Sequence, residues 1–186
     1  MAAKIEPLLT VEDLDACPDD GNRYELIGGE LFVSRAPRIP HQLALQSLGF
    51  QFQLYLKEHP IGTLVPGAGA VFSNYDAVIP DLVFVRNERW ANIVSEGKFT
   101  GAPEIVVEVV SPGTENRRRD FLVKRQLYSK YGVLEYWLVD PENRSTEIHR
   151  LFEGSLETVA TLLDDDEITS PILPGFRLRV STIFNF

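Results

Sequence analysis

Four charged side chains stand where an ordinary core would place none. Glu108 sits inside Ile105-Val106-Val107-Glu108-Val109-Val110, an apolar run. Burying a lone carboxylate there costs on the order of several kcal/mol, so a metal ion or a basic side chain must meet it. A core carboxylate paired for purely structural reasons is the competing reading. Asp81 follows Pro80 and leads into Leu82-Val83-Phe84-Val85, at the mouth of a second apolar strand. Proline is tolerated there because its missing N–H falls outside the ladder, although an aspartate in that place also serves as a turn cap. Glu25 lies in Tyr24-Glu25-Leu26-Ile27, where alternation puts it on the face opposite Leu26, either solvated or part of a site. On a helical wheel of residues 115–131, Lys124 shares one face with Asp120, Leu127, Tyr128 and Tyr131. Lysine is almost never fully buried unless paired. A simple i, i+4 pair of Asp120 with Lys124 is the plainer alternative. His41 opens a long helix, where a histidine is more often structural than catalytic.

Hard oxygen ligands with one lysine suit Mg²⁺ or Mn²⁺ better than zinc. Cys17 is the single cysteine, which excludes an intramolecular disulfide and any multi-cysteine zinc site; beside Pro18 it reads as an inert thiol. Two carboxylates from adjacent strand ends can hold such an ion against a phosphate, where it polarises the phosphoryl oxygen and acidifies a water. A nearby lysine can orient that water or stabilise the developing charge. The combination specifies phosphodiester hydrolysis better than most other reactions.

The elements that must position these residues are legible. Thr10 with Asp13 three positions on predicts a short capped helix over 10–16. RYELIGGELFVSR reads as a hairpin turning at Gly28-Gly29. Leu43, Leu45, Leu48, Phe52, Tyr55 and Leu56 predict a helix from His41 to His59, ended by Pro60 and Gly62. GTLVPG, GAVFS and VIPDLVFV are strand-like, and residues 87–101 read as a polar loop or short helix. EIVVEVV, a helix over 115–131 stopped by Gly132, and LEYWLV form a candidate βαβ crossover. Strand-like pieces follow at 146–152, 156–163 and 176–180. The expected fold class is α/β, or α+β with a mixed sheet flanked by helices, an N-terminal hairpin and a C-terminal β segment.

With 186 residues, one domain over 1–186 is expected. The N-terminus lacks a signal-peptide pattern and no apolar run is long enough to span a membrane, so a cytoplasmic protein is expected. The net charge of −9 argues against a protein that coats nucleic acid through bulk charge. A nucleic-acid partner would need a local basic patch. Arg117, Arg118 and Arg119 form the only dense basic run, and a solvated helix start is its default reading.

In order along the chain stand RYELIGGEL, a histidine after a proline-rich link, IPDLVFV, APEIVVEVVSPGT and RRDFLVKRQLYSKYGVLEYWLVDP. This series resembles the Uma-two family of restriction-endonuclease-like proteins, a branch of the PD-(D/E)XK nuclease superfamily, over nearly the whole chain. The resemblance implies a restriction-endonuclease-like core and metal ligands at Asp81 and Glu108, with the carbonyl of Val109 as a third. It makes Glu25 a further acidic member of the site. The superfamily pattern puts a lysine two residues after the second acid, but that position is Val110, so Lys124 is its natural replacement. The activity implied is metal-dependent hydrolysis of DNA, with a symmetric homodimer the simplest way to cut both strands. Two rivals stand beside it. One is a catalytically silent nuclease-fold protein that binds a protein or nucleic acid. The other is a carboxylate-pair glycosidase, with acids roughly 5–9.5 Å apart and Lys124 idle.

Overall fold

The computed structural model describes residues 7–186. In chain order its first elements are α1 (Val11–Asp15), β1 (Arg23–Ile27), β2 (Glu30–Ser34), α2 (Ile39–Glu58), β3 (Gly62–Pro66), β4 (Ala70–Ser73) and β5 (Asp76–Val78). Then come β6 (Leu82–Arg86), α3 (Asn87–Ile93), β7 (Val94–Ser95), β8 (Lys98–Phe99) and β9 (Ile105–Val109). A broken helix follows: α4 (Thr114–Arg118), a π-helical segment (Arg119–Lys124) and α5 (Arg125–Tyr131). The chain ends with β10 (Glu135–Asp140), β11 (Ser145–Phe152), β12 (Ser155–Leu163), β13 (Glu167–Ser170), β14 (Leu173–Arg179) and α6 (Val180–Ile183).

The glycine pair turns the hairpin as expected. Ile27 faces Glu30 in register, and Gly28 and Gly29 take φ of 61° and 78°, a left-handed turn that a side chain would strain. Ahead of α1, the Asp13 carboxylate accepts hydrogen bonds from the Thr10 N–H and hydroxyl at 2.7 and 2.9 Å.

The strands form two six-stranded sheets and one two-stranded ribbon, not a single mixed sheet. The first sheet runs β2-β1-β5-β4-β8-β7, the second β12-β11-β10-β9-β6-β3, and β13 pairs with β14. The segment VIPDLVFV divides between both sheets. Pro80 cannot donate to a ladder, and the chain crosses from β5 to β6 there. Residues 87–101 hold the short helix expected there, α3, followed by the short β7–β8 pair, which was not expected.

The predicted crossover is present: β9 and β10 pair in parallel, with the broken helix between them. Alternation along β9 sends Ile105, Val107 and Val109 into one core and Val106 and Val110 into another. The first core is covered by α2, whose buried residues His41, Ala44, Leu48, Phe52 and Leu56 recur every three or four positions. Phe52 anchors it, with ring centroids 5.5 Å from Phe84, 5.9 Å from Trp137 and 5.4 Å from Phe176. Truncating such a residue typically costs about 3–5 kcal/mol. The second core joins the first sheet to α5 through Val78, Phe99, Leu127 and Tyr128.

The helix over 115–131 is not one α-helix. Its middle six residues bond i to i+5, which sets Arg119 above Lys124 on one side. On a wheel of 3.6 residues per turn, five positions leave the two well apart, which is why the wheel missed Arg119. Gly132 ends the helix with φ of 83°. Among the described residues no helix is long and apolar enough to cross a membrane.

Candidate active site

Asp81 and Glu108 are neighbours by register. Leu82 pairs with Val107 across β6 and β9, so the next antiparallel pair is Asp81 opposite Glu108. Parity puts both on the face that carries Val83 and Val106, toward the broken helix. That helix delivers Lys124, and β1 delivers Glu25 from the first sheet. All four line one small cavity of about 30 Å³, room for a water or an ion.

Lys124 joins two carboxylates. Its Nζ lies 2.9 Å from Glu25 Oε1 and 2.9 Å from Glu108 Oε1. Glu25 Oε1 also accepts from the Ile79 N–H at 2.9 Å, and Glu108 Oε1 from the Tyr128 hydroxyl at 2.7 Å. Asp81 is held separately. Its Oδ2 accepts from the Val109 N–H at 2.9 Å and faces His41 Nε2 at 3.1 Å, while Oδ1 accepts from Arg23 Nη1 at 3.0 Å. Glu25, Asp81, Glu108 and Lys124 are each no more than 3% exposed.

Burial and charge pull these groups apart in acidity. Burial pushes Asp81 up, but the hydrogen bond and charge of His41 and the Val109 amide outweigh it and hold the carboxyl at about 2. Burial drives Glu108 up to about 8 against the attraction of Lys124, and the nearby Asp81, Glu25 and Asp120 add to the rise. Burial disfavours the Lys124 ammonium, yet Glu108, Glu25 and Asp120 raise its pKa above the usual lysine range. Burial and Glu108 keep the Tyr128 hydroxyl protonated, so it donates.

The structure brings the four predicted residues together, decides two alternatives left open beside them and corrects the reading of the basic run. Asp120 pairs with Arg119 Nε at 3.1 Å, not with Lys124, whose partners are Glu25 and Glu108. The run 117–119 is not a solvated helix start: Arg119 is buried, and Arg117 binds Asp140 at 2.6 Å and Glu142 at 3.4 Å. Of the two places open to Glu25 the buried one holds: β1 is an inner strand between β2 and β5, and the carboxylate meets Lys124 and the Ile79 N–H. His41, Arg119, Arg23 and Tyr128 are site neighbours that the sequence did not single out as such. Arg23 had a signal, since two residues from Glu25 on a strand means the same face. Tyr128 shared the wheel face of Lys124.

The wall carries four buried carboxylates, Glu25, Asp81, Glu108 and Asp120, against three fixed cations, the buried Lys124 and Arg119 and the half-buried Arg23, with His41 beside them. Such a wall takes up a proton or a cation. Among the described residues no three His, Cys, Asp or Glu side chains form a ready-made metal cluster. Magnesium does not need one, since it binds through one or two carboxylates and keeps several waters. Asp81 and Glu108, which line the cavity together with Val109, fit that requirement.

A family model described as "Putative restriction endonuclease", Uma2, matches residues 11–181. No curated protein matches the sequence. Among solved structures, a crystal structure titled as a putative nuclease belonging to DUF820 from Anabaena variabilis ATCC 29413 superposes with a TM-score of 0.75. The two chains are 18% identical, and the match covers 95% of this chain and 97% of the other. At that identity the likeness establishes the fold.

Proposed function

Because the chain belongs to the Uma2 family of restriction-endonuclease-like proteins, we propose that it is a metal-dependent endonuclease that hydrolyses DNA phosphodiester bonds. The observation that carries this reading is the buried ammonium of Lys124, bonded to Glu25 and Glu108 beside the ionised Asp81. Asp81 and Glu108 would hold Mg²⁺ or Mn²⁺, with the Val109 carbonyl as a third donor. The bound ion would supply Lewis acidity toward a phosphoryl oxygen and a more acidic water.

The protein's own groups do the rest. Asp81 is ionised before any cation arrives, and the Val109 amide and Arg23 fix its orientation. Glu108 gives up its proton when a second positive charge enters the wall. Lys124 is aimed by two carboxylates, so its remaining N–H is available to a water or to a phosphate oxygen as negative charge develops. The position usual for the superfamily's lysine is Val110, a buried member of the second core, and Lys124 brings the charge from the helix. One domain over 1–186 acts as the unit, and two copies related by symmetry would cut both strands.

Plasmid DNA incubated with wild type and with Asp81→Asn tests the reading. Mg²⁺- or Mn²⁺-dependent cleavage by the wild type alone is the expected result. A wild type that cuts nothing with either ion overturns it, and leaves a nuclease-fold binding protein as the better description.

A further inference from the structure

The site cavity is far too small for a nucleotide, so a substrate strand must lie outside it and present only its scissile phosphate. Two larger clefts adjoin the cavity. One, of about 270 Å³, is walled in part by Asp140 and Glu142, which hold the neighbouring Arg117 in ion pairs and leave it no free charge for a phosphate. The other, of about 260 Å³, shares Ser34, Arg35, Pro37 and Ser111 with the site cavity and continues it outward over Arg38 and Asn116. Among the described side chains lining this second cleft none is a carboxylate. That is unusual in a chain with 27 acidic and 18 basic residues.

Its two arginines are also free to act. Arg35 and Arg38 are exposed, and among the described residues neither is engaged in an ion pair, whereas Arg117 and Arg119 are bound to carboxylates. Arg38 is the residue at the N-terminal cap of the twenty-residue α2, so the positive end of that helix opens beside it. Ser34, Ser111 and Asn116 add neutral polar groups suited to phosphate oxygens.

We propose that the cleft between the β2–α2 link and the Ser111–Asn116 turn is the track for the DNA backbone. In it Arg35 and Arg38 bind the phosphates flanking the one presented to Asp81, Glu108 and Lys124. This proposal rests on the nuclease reading above. It solves the charge problem of an acidic nuclease: attraction is concentrated on two arginines, unpaired among the described residues, in one groove that ends at the site. Contacts of this kind position the strand and carry no sequence information.

The test compares wild type, the double variant Arg35→Ala/Arg38→Ala, its lysine counterpart Arg35→Lys/Arg38→Lys, and a charge-matched control, Arg177→Ala/Arg179→Ala. Arg177 and Arg179 are exposed on β14 and line neither the cleft nor the site cavity. Binding of a fluorescein-labelled DNA duplex in EDTA is followed by anisotropy over a salt series, and cleavage with Mg²⁺ is measured in parallel. The alanine pair is expected to flatten the slope of log affinity against log salt by about 1 per arginine. It should also raise KM on the order of tenfold or more. The lysine pair should restore most of the slope, since a point charge still binds phosphate, and the control should behave as wild type. If wild type binds and cuts but the alanine pair matches it, or the control loses as much, the track is wrong and the nuclease reading stands. If wild type neither binds nor cuts DNA, both fall.

Discussion

Lys124 keeps its charge in a place where an isolated ammonium would lose it, because Glu25 and Glu108 meet it at 2.9 Å from two different sheets. Catalysis and stability therefore both pass through one nitrogen, and a pair of variants separates them. Lys124→Ala should lower cleavage by about 10²–10³, the usual cost of a lost electrostatic donor. It should also cost around 3–5 kcal/mol, because the buried Glu25 charge is left uncompensated and Glu108 loses a donor. Asp120→Asn should leave the Lys124 bonds intact, since Asp120 pairs with Arg119, so its melting temperature should not mimic that of Lys124→Ala. Urea unfolding and plasmid cleavage read both. A Lys124→Ala protein that cuts at the wild-type rate would falsify the assignment. At this scale the sequence was informative wherever a charge interrupted an apolar pattern, as at Glu108, Asp81 and Lys124. It was silent where the pattern itself was misjudged. Arg119 looked solvated because it closes a basic run, whose default is a solvated helix start, and His41 looked structural because it opens a helix and its partner, Asp81, lies 40 positions on.

The π-helical segment is the element that converts a helix into part of a site. Six residues with i to i+5 bonding set Arg119 and Lys124 on one side, so both reach the carboxylate wall. Deleting Leu122, which is 46% exposed and packs little, should let the segment relax to ordinary α-helix. Arg119 and Lys124 would then stand four positions apart, which an α-helix sets on one side, so both should still reach the wall. The deletion variant is expected to fold with unchanged or higher helicity by circular dichroism and to keep cleavage. Lost cleavage in a folded deletion variant would show that the widened turn itself is needed to aim the pair. No residue type marks such a turn, since Phe121, Leu122 and Val123 are compatible with either helix. Elements with strong local signals were legible: the Gly28-Gly29 hairpin, the α2 stripe, and the parallel pair β9 and β10. The short β7, β8 and β13 were not, because strands of two to four residues are made by their neighbours rather than by their own pattern. For the same reason the apolar runs announced burial but not the division into two sheets.

The whole molecule carries buried titrating groups whose effects on stability oppose each other. His149 is buried against Tyr136, 5.6 Å between ring centroids, with Nε2 unbonded and the Glu147 carboxylate 3.5 Å away. Burial, reinforced by Arg125, lowers its pKa from 6.5 to about 4. Its contribution is present above pH 6.5 and is lost as pH falls through 4, because the unfolded chain takes the proton first; the loss approaches about 3 kcal/mol. The stability difference between wild type and His149→Phe should narrow over that window in urea titrations. Glu108 acts in the other direction. Its pKa is raised from 4.5 to about 8, so the metal-free fold favours the protonated acid. That contribution is full below pH 4.5 and disappears as pH rises through 8. Glu108→Gln, which cannot ionise, should therefore gain on metal-free wild type as pH rises from 5 to 8. A divalent ion in the wall reverses this, since it stabilises the ionised form and displaces the proton. Mg²⁺ or Mn²⁺ at roughly a hundred times its dissociation constant should add about 2.7 kcal/mol by mass action. For a chain of this size that raises the melting temperature by about 5–10 °C. The gain should be largest near pH 8 and shrink toward pH 6, where a proton on Glu108 competes with the ion. Asp81→Asn and Glu108→Gln should each abolish it, while Arg177→Ala, on the far ribbon, should keep it. Calorimetry showing the same metal-dependent shift in wild type and Asp81→Asn would place the ion elsewhere.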